Sequence, residues 1–337
     1  MTRQYLGHLS PEDPLDSYLR YNIAPQLALQ EAPAGFRVYQ FIYSRDVYLY
    51  EETNNAFRVV GKFFPPGRRL ATGLVRPPTE TEFHNLIYLH SQGLNGSCFK
   101  IARPLGYNPA LNNLLILEYL DGELLGDVIG HAIRHNRRDR LFRKLSALAE
   151  FLAGLHNRTA GDWRVDFKDP YDYTGRLIES LVQKRGMVRG EADELYQLRE
   201  NWQHRQYMWE DRRVIVHGDA TPSNFKVGSG RQVMVFDLER MMWADRVFEL
   251  GRLSGELKHF FMQITGNRWA AEPFIGHFLW EYCGFFPDRQ DAFKSITRRL
   301  PFYLGITLLR IARNTWIDWN YRQQLIDEAK QNLRSDL

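Results

Sequence analysis

The chain reads Val214-Ile-Val-His217-Gly-Asp219-Ala-Thr-Pro-Ser-Asn224-Phe and later Val235-Phe-Asp237-Leu-Glu239. Short apolar runs rich in β-branched residues, which are typical of strands, flank polar side chains that can bind a metal ion or move a proton. Between the two motifs, a Gly-Ser-Gly sequence at 228–230 is typical of the turn of a β-hairpin. Such a hairpin would fold Asp237 back beside Asn224. A carboxylate, an amide and a second carboxylate would then gather around one point.

The spacing His217-Gly-Asp219-x4-Asn224, followed by Asp237-x-Glu239, resembles the signature of the aminoglycoside phosphotransferase and choline kinase group. These enzymes are small-molecule relatives of protein kinases. The resemblance implies an α+β, bilobal protein-kinase-like fold with a small β-rich N-lobe and a larger, mainly helical C-lobe. It implies that Asp219 orients the attacking hydroxyl and accepts its proton, since phosphoryl transfer depends on positioning and charge neutralisation. It also implies that Asn224 and Asp237 hold Mg²⁺ against the triphosphate through hard oxygen ligands.

Alternatives remain within this motif. Glu239 either approaches a second Mg²⁺ or projects from the loop. His217 is interpreted as an organiser of the loop, because a histidine beside a strand is more often structural than catalytic. Gly218 stands where many protein kinases have an arginine that reads a phosphorylated activation loop, which favours small-molecule chemistry over regulated protein phosphorylation. The non-functional alternative for the whole motif is a surface hairpin in which Asp and Asn only cap turns.

Three β-rich segments in the first half predict the start of a nucleotide-binding lobe, at 36–43, 47–50 and 57–64. Lys62 lies near the end of the third segment, where the resemblance places the lysine that contacts the α- and β-phosphates. Its predicted anionic partner is Glu82, with Glu80 behind it, on a helix over 79–90. The alternative is that both acids only favour the N-terminus of that helix.

The first hairpin departs from the family pattern, because its turn from Tyr43 to Val47 has no glycine to let the backbone approach phosphate closely. The Ser44 hydroxyl and the turn amides are the predicted replacement, and Arg45 is either a phosphate contact or an exposed turn residue. The apolar strand that ends at Glu118 resembles the hinge between the lobes. Backbone groups from Glu118 to Leu120 would meet the adenine edge there, so both ATP and GTP are retained as nucleotides.

Composition agrees with a globular enzyme. The 337 residues are 44% hydrophobic and 25% charged, which is enough for two lobes and a large core. The two cysteines, Cys98 and Cys283, lie too far apart in sequence to indicate a disulfide framework or a zinc cluster. Acidic residues near the N-terminus argue against a secretion signal. The sequence has no apolar run of about eighteen residues, which a membrane-spanning helix would need. We therefore expect a cytoplasmic location. A net charge of +4 is too small by itself to indicate nucleic acid.

A basic cluster occupies residues 134–144. Its members are Arg134, Arg137, Arg138, Arg140, Arg143 and Lys144. A solvated helix and loop face is the favoured interpretation, and contact with an anionic lipid surface, a sugar phosphate or nucleic acid is the alternative. No nucleic-acid partner is expected, because Asp139 interrupts the cluster. From 246 to 337 the chain has thirteen Lys and Arg against ten Asp and Glu, whereas a pocket for a polycationic aminoglycoside should favour carboxylates.

The sequence therefore predicts an accessory arm at 1–30, a nucleotide-binding N-lobe at 31–118 and a catalytic, substrate-binding C-lobe at 119–337. The predicted enzyme transfers the γ-phosphoryl group of ATP or GTP, with Mg²⁺, to a hydroxyl of a sugar, aminosugar or amino-alcohol metabolite. A protein kinase and a non-catalytic nucleotide-binding module are the alternatives. In the C-lobe, Glu249 stands where the family has an aspartate, and we expect it to serve the core rather than the chemistry.

Overall fold

The computed structural model describes residues 3–335, except 28–30, 43, 45, 55–56, 66–76 and 95–97. Its internal contacts divide the chain into two compact units. The first, here called the sheet unit, comprises Met1–Gly122 and Met234–Arg240; the second, the helical unit, comprises Glu123–Val233 and Met241–Leu337. The predicted α+β class is confirmed, with an antiparallel sheet in the N-terminal region and a mainly helical remainder.

The elements of the sheet unit are β1 (Arg3–His8), α1 (Pro14–Tyr18), β2 (Phe36–Phe41), β3 (Val47–Glu52), β4 (Arg58–Lys62), α2 (Pro78–Ser91), β5 (Phe99–Ile101), β6 (Pro104–Asn108) and β7 (Leu114–Glu118). Six of these strands form an antiparallel sheet in the order β1-β2-β3-β4-β7-β6. The three strands predicted from the sequence are β2, β3 and β4. Each is rich in β-branched or aromatic residues, which pack well on a pleated surface.

Residues before the predicted strands take part in the same core. Strand β1 pairs antiparallel with β2, and Asp13 caps helix α1 by accepting a hydrogen bond from the Leu15 N–H at 2.9 Å. The core cluster combines residues from these early turns with residues from the sheet. Its buried members are Leu15, Leu19, Ile23, Phe36, Tyr50, Val59, Leu105, Leu114 and Ile116.

The helical unit has short strands beside long helices. Its elements are β8 (Glu123–Leu124), α3 (Leu125–Arg134), α4 (Arg138–Arg158), α5 (Lys168–Arg185), α6 (Arg189–Gln203), β9 (Val214–Val216), β10 (Phe225–Val227), β11 (Val233–Val235, which the sheet unit shares), β12 (Met242–Ala244), α7 (Arg246–Thr265), α8 (Glu272–Cys283), α9 (Arg289–Thr297), α10 (Leu300–Ala312) and α11 (Trp319–Leu333). Helix α10 packs against both α7 and α11. Across the part of the chain that the structure describes, no helix has the length and apolar character needed to cross a membrane.

Two strand pairs fix the ends of the central loop of this unit. Strand β9 pairs antiparallel with β12, and β10 pairs antiparallel with β8. The predicted Gly-Ser-Gly turn after β10 is confirmed by two backbone hydrogen bonds. The Gly228 N–H donates to Gln232 O at 3.1 Å, and the Gln232 N–H donates to Ser229 O at 3.1 Å.

Candidate active site

Lys62 is the last residue of β4, and its ammonium group joins two carboxylates of the sheet unit. The Nζ atom lies 2.9 and 2.7 Å from the two oxygens of Glu82 and 2.7 Å from Oδ1 of Asp237. Glu82 is 1% exposed. The predicted pairing of Lys62 with Glu82 is therefore present, and Asp237 shares the same lysine.

The charges of this triad do not cancel. Burial alone would lower the pKa of Lys62, but the negative charges of Glu82 and Asp237 outweigh it, so the pKa is raised and the ammonium stays charged. Burial raises the pKa of Glu82, and the attraction of Lys62 opposes this shift. With both carboxylates ionised, one ammonium faces two negative charges. The excess negative charge favours a cation at this place.

Helix α2 also positions the backbone around Asp237. Glu82 Oε1 accepts hydrogen bonds from the N–H groups of Asp237 at 3.1 Å and Leu238 at 3.3 Å. Asn85 Nδ2 donates to Leu238 O at 2.8 Å. Asp237 has a positive φ of 67°, which is unusual for a residue with a side chain and is found where surrounding contacts enforce it. Asn85 was not predicted from the sequence; its signal is the i,i+3 spacing from Glu82, which puts both side chains on one helix face.

Glu239 lies in the short 3₁₀ turn Leu238–Arg240, with 34% of its side chain exposed. Its nearest ion-pair partner is Arg240, at 3.7 Å. Burial raises the pKa of Glu239, and the negative charge of Asp237 adds to this shift. Two carboxylates that repel each other would be stabilised by a cation between them, so both predicted alternatives for Glu239 remain.

In the turn between β2 and β3, the structure describes Ser44 and Asp46 but not Tyr43. The Ser44 N–H donates to Phe41 O at 3.0 Å, and the Phe63 N–H donates to Asp46 O at 2.9 Å. Asp46 takes the left-handed conformation, with φ of 61°, that a glycine would otherwise supply. Arg45 lies outside the described residues. The assignment of Ser44 to phosphate binding stays a prediction.

The segment after β7 places the predicted hinge residues. The Glu118 N–H donates to Arg103 O at 2.9 Å and the Tyr119 N–H donates to Arg58 O at 3.3 Å. Leu120 is buried with Ala102 and Met234. Any purine contact by Glu118 and Tyr119 would therefore use their carbonyl oxygens, because their N–H groups already have acceptors.

The loop after β9, in the helical unit, holds Asp219 and Asn224 in fixed conformations. Gly218 has a positive φ of 81°, which lets the chain turn sharply before Asp219. Asn224 Nδ2 donates to Asp219 O at 2.8 Å, and the Asp219 N–H lies 3.4 Å from His217 Nδ1. No described residue donates a hydrogen bond to the side-chain oxygen of Asn224. That oxygen is therefore available as a metal ligand.

Buried side chains pack against the loop that follows β9 and hold it in place. Glu249 accepts a hydrogen bond from the His217 N–H at 2.8 Å and contacts His156 Nε2 at 2.9 Å. The other ring nitrogen of His156 lies 2.9 Å from the hydroxyl of Tyr282. Burial lowers the pKa of His156 although Glu249 opposes this, so the imidazole is neutral at pH 7. Glu249 thus serves the core, as predicted from the sequence.

Two arginines that the sequence did not reveal bind the predicted base. Arg252 Nη1 donates to Asp219 Oδ1 at 2.8 Å, and Arg310 Nη2 donates to the same oxygen at 2.9 Å. Arg310 Nη1 also donates to Glu256 Oε1 at 3.1 Å. The two arginines come from α7 and α10, 33 and 91 residues from Asp219 in the chain. Arg252 had one local signal, because it lies three residues after Glu249 on a helix that approaches the loop.

The predicted site residues are divided between the two units. Asp219 and Asn224 belong to the helical unit; Ser44, Lys62, Glu82, Glu118, Leu120, Asp237 and Glu239 belong to the sheet unit. The approach of Asn224 to Asp237 expected from the hairpin stays a prediction. Within the described ranges, no group of three or more His, Cys, Asp and Glu side chains forms a metal site. The ligands predicted for Mg²⁺ differ from such a group, because one of them is the amide oxygen of Asn224.

A sheet unit with a lysine–glutamate–aspartate triad, together with a mainly helical unit, defines a protein-kinase-like fold. The chain matches the family model of the phosphotransferase enzyme family (APH) over residues 40–286, which is more than half of its length. The protein belongs to this family. Among curated proteins, none is significantly similar to it in sequence.

Solved structures show the same fold at low sequence identity. The streptomycin–ATP ternary complex of APH(2")-IIa is similar with a TM-score of 0.55 and 14% identity, covering 97% of both chains. Plasmodium vivax ethanolamine kinase is similar with a TM-score of 0.54 and 12% identity, covering 87% of this chain and 80% of the other. Choline kinase LicA from Streptococcus pneumoniae has a TM-score of 0.50 and 14% identity, covering 87% of this chain and 91% of the other.

Proposed function

We propose that this protein is a small-molecule kinase that transfers the γ-phosphoryl group of ATP or GTP to a hydroxyl group. The observation that carries the proposal is the ammonium of Lys62, which is bound by both Glu82 and Asp237. Kinases of this fold need a lysine held by a helix glutamate to contact phosphates, and an aspartate nearby to hold the metal ion. Membership of a phosphotransferase family supports the same assignment.

Each site residue has a role in this proposal. Lys62, positioned by Glu82, binds the α- and β-phosphates, and the turn at Ser44 covers the phosphates. The backbone from Glu118 to Leu120 meets the base. Asn224 and Asp237 each give an oxygen ligand to Mg²⁺, while Glu239 is a candidate ligand of a second ion. When bound, Mg²⁺ neutralises charge on the β- and γ-phosphates.

Asp219 is the proposed general base. Both arginines bind its Oδ1 atom, and no described residue donates a hydrogen bond to Oδ2. A carboxylate held rigidly through one oxygen can use the other to orient the acceptor hydroxyl and take its proton. The oxygen of that hydroxyl forms a bond to the γ-phosphorus as the bond to the nucleoside diphosphate breaks.

The acceptor is proposed to be a metabolite of the sugar, aminosugar or amino-alcohol type. This rests on kinases with the same fold, which include enzymes named for ethanolamine, choline and aminoglycosides. Both nucleotides remain in the proposal, since neighbouring structures contain ATP or GDP. Use of a nucleoside triphosphate agrees with the cytoplasmic location expected from the sequence.

The test is Mg²⁺-dependent consumption of ATP and GTP across a panel of hydroxyl compounds, by the wild type and by Asp219→Asn. Loss of the base should lower kcat by roughly 10²- to 10⁴-fold while the circular dichroism spectrum is unchanged. The matched control is Asp327→Asn, at an exposed position of α11, which should keep the wild-type rate.

Three outcomes would contradict this assignment. A variant Asp219→Asn that keeps most of the rate would show that Asp219 is not the base. Phosphate incorporated into proteins but not metabolites would favour a protein kinase. Binding of Mg-nucleotide without turnover of any acceptor would favour a non-catalytic module.

A further inference from the structure

The site around Asp219 has more hydrogen-bond donors than the described residues have acceptors for. A guanidinium group carries five N–H donors. Arg252 is 5% exposed, yet its only hydrogen bond within the described part of the chain is the one from Nη1 to Asp219. Its Nε atom is buried without an acceptor. A buried charged donor without a partner is costly, so an acceptor from a bound ligand would stabilise this arginine beyond what the described residues provide.

Arg310 adds a second guanidinium group to the same place. It divides its described hydrogen bonds between Asp219 and Glu256, at 2.9 and 3.1 Å. Burial lowers the pKa of Arg252, and the positive charge of Arg310 lowers it further. Asp219 already contacts both guanidinium groups through Oδ1, so a further anion would use the donors that remain, chiefly those of Arg252.

Glu256 beside the arginines, and two further glutamates of helix α8, already pair with cations of the protein. Glu256 pairs with Arg310, Glu272 with Lys258, and Glu281 with Arg289. Lys258 also binds Glu328, at 2.9 Å. A pocket for a cationic aminosugar or amino alcohol would instead offer carboxylates that lack such partners. These pairings argue against a cationic acceptor.

We infer that the acceptor carries an anionic oxygen group, a carboxylate or a phosphate ester, which Arg252 and Arg310 bind while Asp219 meets its hydroxyl. This inference rests on the proposed kinase function, and it replaces the aminosugar and amino-alcohol acceptors with hydroxy acids, sugar acids or sugar phosphates. Arginine suits the role, because its planar donors match carboxylate and phosphate oxygens. The same arginines keep Asp219 in place through Oδ1, so binding of the acceptor and positioning of the base are joined.

The experiment compares acceptors that share a skeleton and differ in charge. One set is gluconate, glucose 6-phosphate, glucose and glucosamine; the other is glycerate, glycerol 3-phosphate, glycerol and 3-aminopropanediol. Consumption of Mg-ATP and Mg-GTP is measured for each compound. An anionic member should exceed its neutral and cationic counterparts by roughly ten- to hundred-fold in kcat/KM, and the comparison of carboxylate with phosphate identifies the group.

The variant Arg310→Gln separates binding from positioning. It should raise KM for the anionic acceptor by roughly ten- to hundred-fold and change KM for the neutral counterpart far less. An arginine that only positions Asp219 would lower kcat equally for every acceptor, and that result would overturn the inference. The matched control is Arg298→Gln, which removes an arginine from an ion pair with Glu210, 3.6 Å away, and should leave KM unchanged.

Calorimetric binding without nucleotide keeps the two proposals distinguishable. Asp219→Asn should bind the anionic compound at least as tightly as the wild type does, because the arginines lose a competing carboxylate, and Arg310→Gln should bind it more weakly. This result supports the anion site even if no compound is phosphorylated, in which case only the kinase proposal fails. Preferred turnover of a cationic acceptor would support the kinase and overturn the inference. Equal binding of anionic and cationic compounds would also overturn it.

Discussion

Glu82 binds two kinds of partner at once. Its carboxylate accepts hydrogen bonds from the ammonium of Lys62 and from the backbone N–H groups of Asp237 and Leu238. One buried side chain therefore positions both the proposed phosphate-binding lysine and the proposed metal ligand. Loss of the Glu82 charge would leave Lys62 with Asp237 alone and would weaken the hydrogen bonds to two backbone N–H groups, both of which cost stability.

The variant Glu82→Gln tests this double role. We expect it to lower the free energy of unfolding by about 2–4 kcal/mol and to weaken Mg-ATP binding by at least about ten-fold. Urea denaturation and calorimetric titration with Mg-ATP measure the two effects. Glu12→Gln, at an exposed position of the sheet unit, is the control and should change neither. If Glu82→Gln lowers stability alone, Glu82 has no part in nucleotide binding.

At the scale of elements, helices α7 and α10 approach so closely that a side chain at Gly251 has no room. A Cβ atom there would lie 2.3 Å from Tyr303 Cβ and 2.9 Å from the Tyr303 carbonyl carbon. The close approach matters for the site, because Arg252 and Arg310 stand on these two helices. The backbone of α10 would have to move before any residue larger than glycine could be accommodated.

Gly251→Ala should therefore destabilise the protein by about 2–3 kcal/mol, although alanine is the better helix former. Gly276→Ala in α8 is the matched comparison, since a Cβ atom there meets nothing within 4 Å. It should stabilise by up to about 1 kcal/mol. Urea midpoints at constant m-value measure both changes. Equal effects of the two alanines would show that α7 and α10 can separate freely.

The contact between α7 and α11 makes stability depend on pH. His259 Nδ1 lies 2.9 Å from the Tyr321 hydroxyl, and burial lowers the pKa of His259 to about 4. The unfolded chain, with an ordinary histidine pKa of about 6.5, then binds more protons than the folded protein does between pH 6.5 and 4. The stability that comes from burying neutral His259 is therefore fully present above about pH 6.5, and it is lost as the pH falls towards 4.

This loss should reach about 2 kcal/mol at pH 5. Chemical denaturation at pH 7.5 and pH 5 should show a smaller decrease for His259→Gln than for the wild type, by about that amount. His135→Gln removes an exposed histidine and should keep the wild-type decrease. An unchanged pH dependence in His259→Gln would contradict the depressed pKa.

The sequence predicted β2, β3, β4, β7 and α2, because the composition of each strand and the periodicity of the helix are visible within the segment itself. Strand β1 was not predicted, because its Arg3–His8 sequence is largely exposed and carries no alternation of buried and exposed residues. The pairing of Lys62 with Glu82 followed from the motif. Arg252 and Arg310 were not found as partners of Asp219, since the packing of two distant helices brings them there, and the spacing of Arg252 from Glu249 is the one local signal.

At the scale of the whole molecule, the sheet unit is completed by residues that come late in the sequence. Met234–Arg240 belongs to it, and the Ala102 N–H donates to Val235 O at 3.0 Å within it. Asp237 lies in this late segment, while Lys62 and Glu82 lie in β4 and α2. The triad thus ties three separate stretches of chain into one unit. A ligand that binds the triad should stabilise all three together.

Hydrogen exchange with and without Mg-ATP tests this expectation. Mg-ATP should slow exchange together in 58–62, 78–91 and 234–240, and should leave α11 unchanged. At a hundred-fold excess of ligand over its Kd, mass action stabilises the bound unit by about 2.7 kcal/mol, which corresponds to roughly hundred-fold slower exchange through openings that release the ligand. EDTA should remove the protection in the wild type. In Asp237→Ala, the protection by nucleotide should no longer depend on Mg²⁺, because the variant lacks the carboxylate proposed to bind the metal ion. Protection confined to 58–62 and 78–91, with no change in 234–240, would mean that nucleotide binds without Asp237.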